Sequence, residues 1–231
     1  GTPPPATTAI ALDIGVSAKK VTKWVRLVKT RTLIPARNAT WHLRKHRVVV
    51  ARERAGRSLN TTPLKQLLVT SLTSTGTVAR ALGTHNELFT KLSPAVTRRQ
   101  LSPVVVVDRS DHTATIWSPL RKLRTMPVAV GMTAHQTPLG SFKVVEKQKN
   151  PRWTPPNSEW AKDAQPIAAG PNNPLGTRWI GLSASGIGMH GTNLDSSVGS
   201  AVSHGCMRMH KRDVEWLYGK VRIGTPVVIV R

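Results

Sequence analysis

Two hydrophobic periods run along the chain, and the change from one to the other divides it. Residues 16–29 place Val21, Trp24, Val25 and Val28 at helical spacing, with cations on the other face, which predicts an amphipathic helix. Residues 39–44 and 47–52 read as two strands joined by a short basic turn, and Gly56 marks another turn. Asn60-Thr61-Thr62-Pro63 supplies an N-cap and an early proline. The helical stripe Leu64, Leu67, Leu68, Ser71 and Leu72 follows. These elements predict a small α+β domain over residues 9–100, after a stiff proline-rich linker at 1–8. Leu101-Ser102-Pro103 is the expected joint.

Beyond the joint the texture becomes short β runs. Val104–Asp108 reads as a buried strand and Ala114–Trp117 as its hairpin partner. Met126–Gly131, Ser141–Val145, Trp179–Leu182 and Thr225–Val230 follow, with a turn at Thr137-Pro138-Leu139-Gly140. Residues 101–231 are therefore expected to form a mainly-β sandwich or barrel, and the chain as a whole is α+β. Residues 146–178 break the pattern with Pro151, Pro155, Pro156, Pro166, Pro171 and Pro174. Trp153 and Trp160 among them argue against disorder, so the stretch reads as a lid over a site. A short helix is expected after the last histidine cluster, with Asp213 as its N-terminal acid and Trp216 in the core.

Length and composition narrow the class. At 231 residues the chain has room for one or two domains with a proper core, and 39% apolar residues argue against wholesale disorder. No run approaches the roughly 18 apolar residues of a membrane span. The first residue is Gly1, so any signal peptide or membrane anchor is expected upstream. The formal charge of +23 favours an anionic setting such as nucleic acid, anionic lipid or acidic wall polymer. It is spread out: residues 1–97 hold 16 Lys and Arg against three acids, and residues 98–231 hold 18 against eight. No zinc-finger spacing, RNA-recognition aromatic motif or basic-region heptad is present, so nucleic-acid binding is not expected.

The chemistry concentrates in Met189-His190-Gly191-Thr192 and Ser203-His204-Gly205-Cys206-Met207-Arg208-Met209. Cys206 is the single cysteine, which excludes an internal disulfide and a multi-cysteine zinc cage. A lone thiol reads first as a small buried apolar residue; two histidines and an arginine nearby reverse that reading. A thiol attacks as thiolate and needs a base or a cation to lower its pKa, and Gly205 lets a substrate approach the backbone. The N–H groups of 205–206 are candidates for an oxyanion hole.

This pattern resembles the L,D-transpeptidase catalytic domain, the YkuD or ErfK family of bacterial cell-wall enzymes. The signature is a His-Gly-Thr stretch and, sixteen residues on, Ser-His-Gly-Cys, an apolar residue and Arg; Ser203, His204, Gly205, Cys206 and Arg208 all match. Thr137-Pro138-x-Gly140 and Asn173-Pro174-Leu175-Gly176 are also typical, and the likeness covers roughly residues 102–231. The N-terminal unit more loosely resembles the α+β domain, often peptidoglycan-binding, that precedes this domain in some Gram-positive relatives.

The resemblance implies a mechanism. Cys206 attacks the third residue of a stem tetrapeptide, D-Ala leaves, and a diamino-acid side-chain amine takes the acyl group, giving a 3→3 cross-link. His190 is the implied base, the Gly191 carbonyl orients it, Arg208 holds geometry or a substrate carboxylate, and His204 shapes the oxyanion region. Ser203, Trp153, Trp160 and Trp179 are expected on the substrate side, the tryptophans serving equally as stacking surfaces or as pins for the lid. No metal or cofactor is implied. Donor and acceptor stem peptides are the expected partners, anionic wall polymers further ones, and a membrane only through an anchor missing from this fragment. The implied place is the extracytoplasmic cell envelope.

Alternatives stay open. Water as acceptor would make an L,D-carboxypeptidase, and a dead site would leave a non-catalytic wall-binding module. His190, His204, Cys206 and His210 as zinc ligands match no standard zinc spacing. Gly186–Gly191 spells G-x-G-x-x-G but opens no helix pattern. Papain-like and NlpC-type peptidases place Cys before His, the reverse of the order here.

Overall fold

The computed structural model describes residues 15–73 and 85–231, so the linker expected at 1–8 lies outside the described residues. The chain forms two compact units: one takes residues up to Asn38 and Glu53–Ala95, the other Ala39–Arg52 and Val96–Arg231.

In the N-terminal unit, helix α1 spans Ala18–Thr32 and is capped by Ser17, whose side chain accepts the Lys20 N–H. Helix α2 spans Thr61–Thr73. The two share a core of Val25, Leu59, Leu64 and Leu88, with Val21, Val28, Leu67, Leu68 and Phe89 packed against it. Trp24, expected on the buried stripe, is 49% exposed instead. It sits on the shoulder of the helix, beside the three valines that fill the narrow interface with α2. Strand β3 (Gly56–Leu59) pairs antiparallel with β4 (Phe89–Leu92). Gly56 therefore begins a strand rather than only a turn. A Cβ there would lie 2.1 Å from the Ile34 carbonyl oxygen, because residues 34 and 57 exchange backbone hydrogen bonds alongside.

Strands β1 (Thr40–Arg44) and β2 (Arg47–Ala51) form the expected hairpin, but it belongs to the second unit. The boundary expected at residue 100 is corrected accordingly. The physical reason is one apolar face: Trp41, Leu43 and Val48 pack on Val104, Val106 and Val228. The hairpin tip adds a hydrogen bond, His46 Nδ1 to Asp108 Oδ2 at 2.7 Å.

That packing also explains the Val104–Asp108 run. As strand β5 it is buried at every position. Val105 and Val107 enter the main core and Val104 and Val106 meet the hairpin. Around β5 lie β6 (Thr113–Trp117), β7 (Lys122–Pro127), β8 (Val130–Gly131), β9 (Gly140–Lys149), β10 (Arg178–Leu182), β11 (Gly188–Gly191), β12 (Ala201–Ser203), β13 (Met207–Met209) and β14 (Pro226–Val230). Eight of these make one sheet in the order β13-β11-β10-β9-β14-β5-β6-β7. Its two edges meet: Ala129, just past β7, exchanges backbone hydrogen bonds with Arg208 on β13, and the sheet curls into a near-barrel. Helix α3 (Lys211–Lys220) packs Val214 and Leu217 into the same core. Asp213 proves to be a buried ion-pair partner of Arg124 on β7, at 2.5 Å, rather than only an acid at a helix start, and Trp216 is partly buried against the core. Among the described residues no helix is long and apolar enough to cross a membrane.

Candidate active site

Strands β11 and β13 run parallel and side by side, with Met189 opposite Met207, His190 opposite Arg208 and Gly191 opposite Met209. Side chains alternate across a sheet. Met189, Met207 and Met209 point into the core and are fully buried. His190, Arg208 and Cys206, the residue before β13, take the other face and line one cleft of about 1060 Å3. A two-residue period on two neighbouring strands thus brings together residues sixteen positions apart. Gly186–Gly191 ends in a strand, not a helix.

Trp179 on β10 stands opposite His190, with ring centroids 5.8 Å apart, and its indole N–H donates to Glu146 at 2.9 Å. It also covers Gly188, where a Cβ would lie 2.5 Å from the indole ring. Trp179 is thus wedged as a wall of the cleft.

The electrostatics of the pair follow from burial. His190 is 5% exposed, and its Nδ1 hydrogen-bonds the Gly191 carbonyl at 2.5 Å. That carbonyl can only accept, so Nδ1 carries the proton and Nε2 keeps its lone pair. Burial pushes the His190 pKa down to about 4, against the upward pull of the Gly191 bond. Burial pushes the Cys206 thiol up, more than the Gly188 backbone and the Arg208 charge pull it down. Burial thus opposes the lowering of the thiol pKa expected from the neighbouring histidines and arginine. Near neutral pH the pair is thiol and imidazole, with the S–H donating to the Gly186 carbonyl at 3.3 Å. Such a pair performs nucleophilic attack with the proton leaving as the bond forms.

The turn into Cys206 is held from below. Ser203 is buried; its hydroxyl donates to the Cys206 carbonyl at 2.5 Å and accepts the Gly205 N–H at 3.1 Å. Gly205 has φ +112°, a conformation that disfavours a side chain. Of the two amides expected to serve an oxyanion, that of Gly205 is already engaged, which leaves the Cys206 N–H. Ser203 likewise spends its hydroxyl on the turn rather than on the open cleft.

A family model for the L,D-transpeptidase catalytic domain, YkuD, matches residues 102–229. The chain belongs to the YkuD family. Residues 102–229 are an L,D-transpeptidase catalytic domain. The chain is 37% identical over 132 residues to the Bacillus subtilis protein YqjB, covering 55% of this chain and 70% of that one. It is 38% identical over 125 residues to the YkuD protein of Bacillus licheniformis, covering 54% of this chain and 64% of that one. Both relatives are named as L,D-transpeptidases. Among solved structures, LD transpeptidase LdtMt1 in complex with imipenem aligns at 21% identity with a TM-score of 0.47, covering 89% of this chain and 85% of that one.

Two further residues of this YkuD domain position the site. The Thr137 hydroxyl, fully buried, accepts the Gly131 N–H and donates to the Gly205 carbonyl, both at 2.8 Å. Asn173, also fully buried, donates to the carbonyls of Pro151, Ala168 and Ile167 and accepts the Leu175 N–H. It thereby knots the lid, residues 150–177, at its base. Thr137 and Asn173 stood in the turns that carried the family resemblance, but nothing in their spacing assigned them these bonds. Thr137→Val keeps the shape and leaves two buried backbone groups unpaired. It is expected to destabilise the protein by roughly 2–4 kcal/mol and to slow Cys206 acylation. Urea unfolding checks it, and an unchanged midpoint would contradict it.

Over the cleft, Trp160 stacks on His204, with ring centroids 4.0 Å apart and planes 12° apart, and His135 tilts against the same ring. His204 is exposed and its pKa is lowered, by burial first and then by His135 and Arg208. Trp153 exchanges backbone hydrogen bonds with Ile167 across the lid. Trp153, Trp160 and Trp179 all line the cleft, with Trp160 also pinning the lid to the catalytic turn. His135 lines the cleft as well. His210 turns away to Asp195 at 3.0 Å, and among the described residues no cluster of three or more His, Cys, Asp and Glu is arranged to hold a metal ion.

Proposed function

We propose that the chain is a peptidoglycan L,D-transpeptidase working through Cys206. The observation that carries this reading is the His190 tautomer: Nδ1–H is tied to the Gly191 carbonyl, so the basic Nε2 serves the thiol on the same face. The Cys206 S–H turns from Gly186 to Nε2 as Sγ attacks the carbonyl carbon of stem residue three. The oxyanion takes the Cys206 N–H. The C–N bond to D-Ala breaks, His190 returns the proton to the leaving amine, and a thioester remains. A diamino-acid side-chain amine then attacks the thioester, gives a proton to His190 and forms the 3→3 amide, and Cys206 leaves as a thiol. Gly191 orients the base, Gly205 shapes the turn, His204 braces it through Trp160, and no metal or cofactor takes part.

The substrate side is cationic. Arg208 and Arg152 line the cleft, and neither is in an ion pair among the described residues, which suits the carboxylates of a stem peptide. Such substrates place the protein in the extracytoplasmic envelope, with the basic N-terminal unit as an accessory that favours anionic wall polymers. Incubation with a disaccharide tetrapeptide, read by mass spectrometry, tests the reading. Free D-Ala with a cross-linked dimer is the expected result. D-Ala with only tripeptide would make the chain an L,D-carboxypeptidase, and neither product from folded protein would leave a binding module.

A further inference from the structure

Helix α1 carries a second face that the N-terminal core does not use. Its sequence holds Lys19, Lys20, Lys23, Arg26, Lys29 and Arg31 and no acidic residue. Val21, Val25 and Val28 take the inward stripe. At about 100° per residue, Trp24 and Leu27 fall together outside that stripe, three residues apart and in contact range on the helix surface. They are 49% and 46% exposed. The same spacing sets Lys20 one turn before Trp24, Lys23 one turn before Leu27 and Arg31 one turn after Leu27.

We propose that this face of α1 docks on an anionic lipid bilayer, with Trp24 and Leu27 entering the headgroup–acyl boundary and the surrounding Lys and Arg meeting lipid phosphates. Charge complementarity selects an anionic partner, and the exposed apolar pair selects among anionic partners. A soluble polyanion or wall polymer offers phosphates and at most a flat ring for the indole to stack on, but no hydrocarbon to receive the leucine beside it. A bilayer interface takes both, an indole at headgroup level and a leucine just below it, with cationic side chains reaching back to the phosphates. This is a surface contact of the folded domain, independent of the chemistry at Cys206.

The test holds charge constant. The full chain and the Trp24→Ser/Leu27→Ser variant have the same net charge, so diffuse attraction from the +23 protein is equal for both. Each is co-sedimented at 0.15 M salt with vesicles of phosphatidylglycerol and phosphatidylcholine, and with phosphatidylcholine alone. Far-UV circular dichroism of the two proteins serves as the folding control. Wild type is expected to bind the anionic vesicles and not the neutral ones, and the variant to bind at least about tenfold more weakly. Equal binding by the two would overturn the proposal in favour of plain polyanion attraction. Loss of self-association by the variant without vesicles would assign the face to a second copy of the chain.

Discussion

On the proposed mechanism, replacing His190 with asparagine is expected to slow acylation of Cys206 by a carbapenem, whose strained amide suits such a nucleophile, by about 10²- to 10⁴-fold, and Cys206→Ala to remove the adduct altogether. The large factor follows from the resting state. Burial raises the thiol, so little thiolate exists near neutral pH and the reaction depends on a base acting during attack. His190 is the buried imidazole on the face of Cys206, and its Gly191 bond aims the lone pair. Intact-protein mass spectrometry over time measures the rate, with the mutant enzyme checked for folding by circular dichroism. A His190→Asn rate within a few-fold of wild type would mean the thiolate forms without this base.

The same group fixes a pH signature. His190 must be neutral to accept a proton, and its pKa is pushed down to about 4. The acid limb of the acylation rate is therefore expected near pH 4, not near the usual histidine value of about 6.5. A limb at the usual value would show that the imidazole is solvated in the reacting state. Stability follows with a definite sign. Between roughly 6.5 and 4 the unfolded chain takes a proton on this residue and the folded one does not, so stability falls as pH falls through that window. The contribution is fully present above the unfolded value, amounts to about 3 kcal/mol, and declines no further once the folded group titrates as well.

Arg124→Met is expected to destabilise the catalytic domain by about 3–5 kcal/mol, and Asp213→Asn by less. Both changes break the Arg124–Asp213 pair, but what they leave behind differs. Asp213 is 2% exposed on its side chain and Arg124 35%. Without Arg124 the carboxylate stays buried with Arg212 at 4.0 Å as its other cation. Without the carboxylate, Arg124 can turn to water. The pair joins the β7 edge to the helix that follows β13, so it clasps the two edges that close the sheet beside Arg208 and the catalytic turn. Urea unfolding of the two variants measures both costs, and equal costs would contradict the asymmetry. Methionine fills the space of the arginine stem, which limits the packing change.

Much of this was legible from residues alone. Cys206 and His190 stood out because reactive types cluster where chance would not place them, and the valine run at 104–107 announced a strand buried on both faces. Strands β11 and β13 were not legible as strands. Each has only three or four residues, too short a run for the alternation of Met207-Arg208-Met209, or of Met189 and His190 between glycines, to stand out as a strand. Residues 39–52 read naturally with the segment around them, because adjacency in sequence is the default guide to packing. Only the matching apolar face of Val104, Val106 and Val228 moved that hairpin to the other unit.

The sequence by itself determined the chemical class: one thiol, a histidine ahead of it, and a spacing shared with a known family. Tertiary structure decided how that chemistry runs. The protonation of the pair depends on burial, and burial depends on which strands lie above and beside the site, a property no local spacing encodes. The partner of Asp213 and the bonds of Thr137 and Asn173 depend likewise on segments far away in the chain. Periodicity reports which face of an element is apolar. It does not report which other element that face will meet, because that is settled only when all faces compete for the same core.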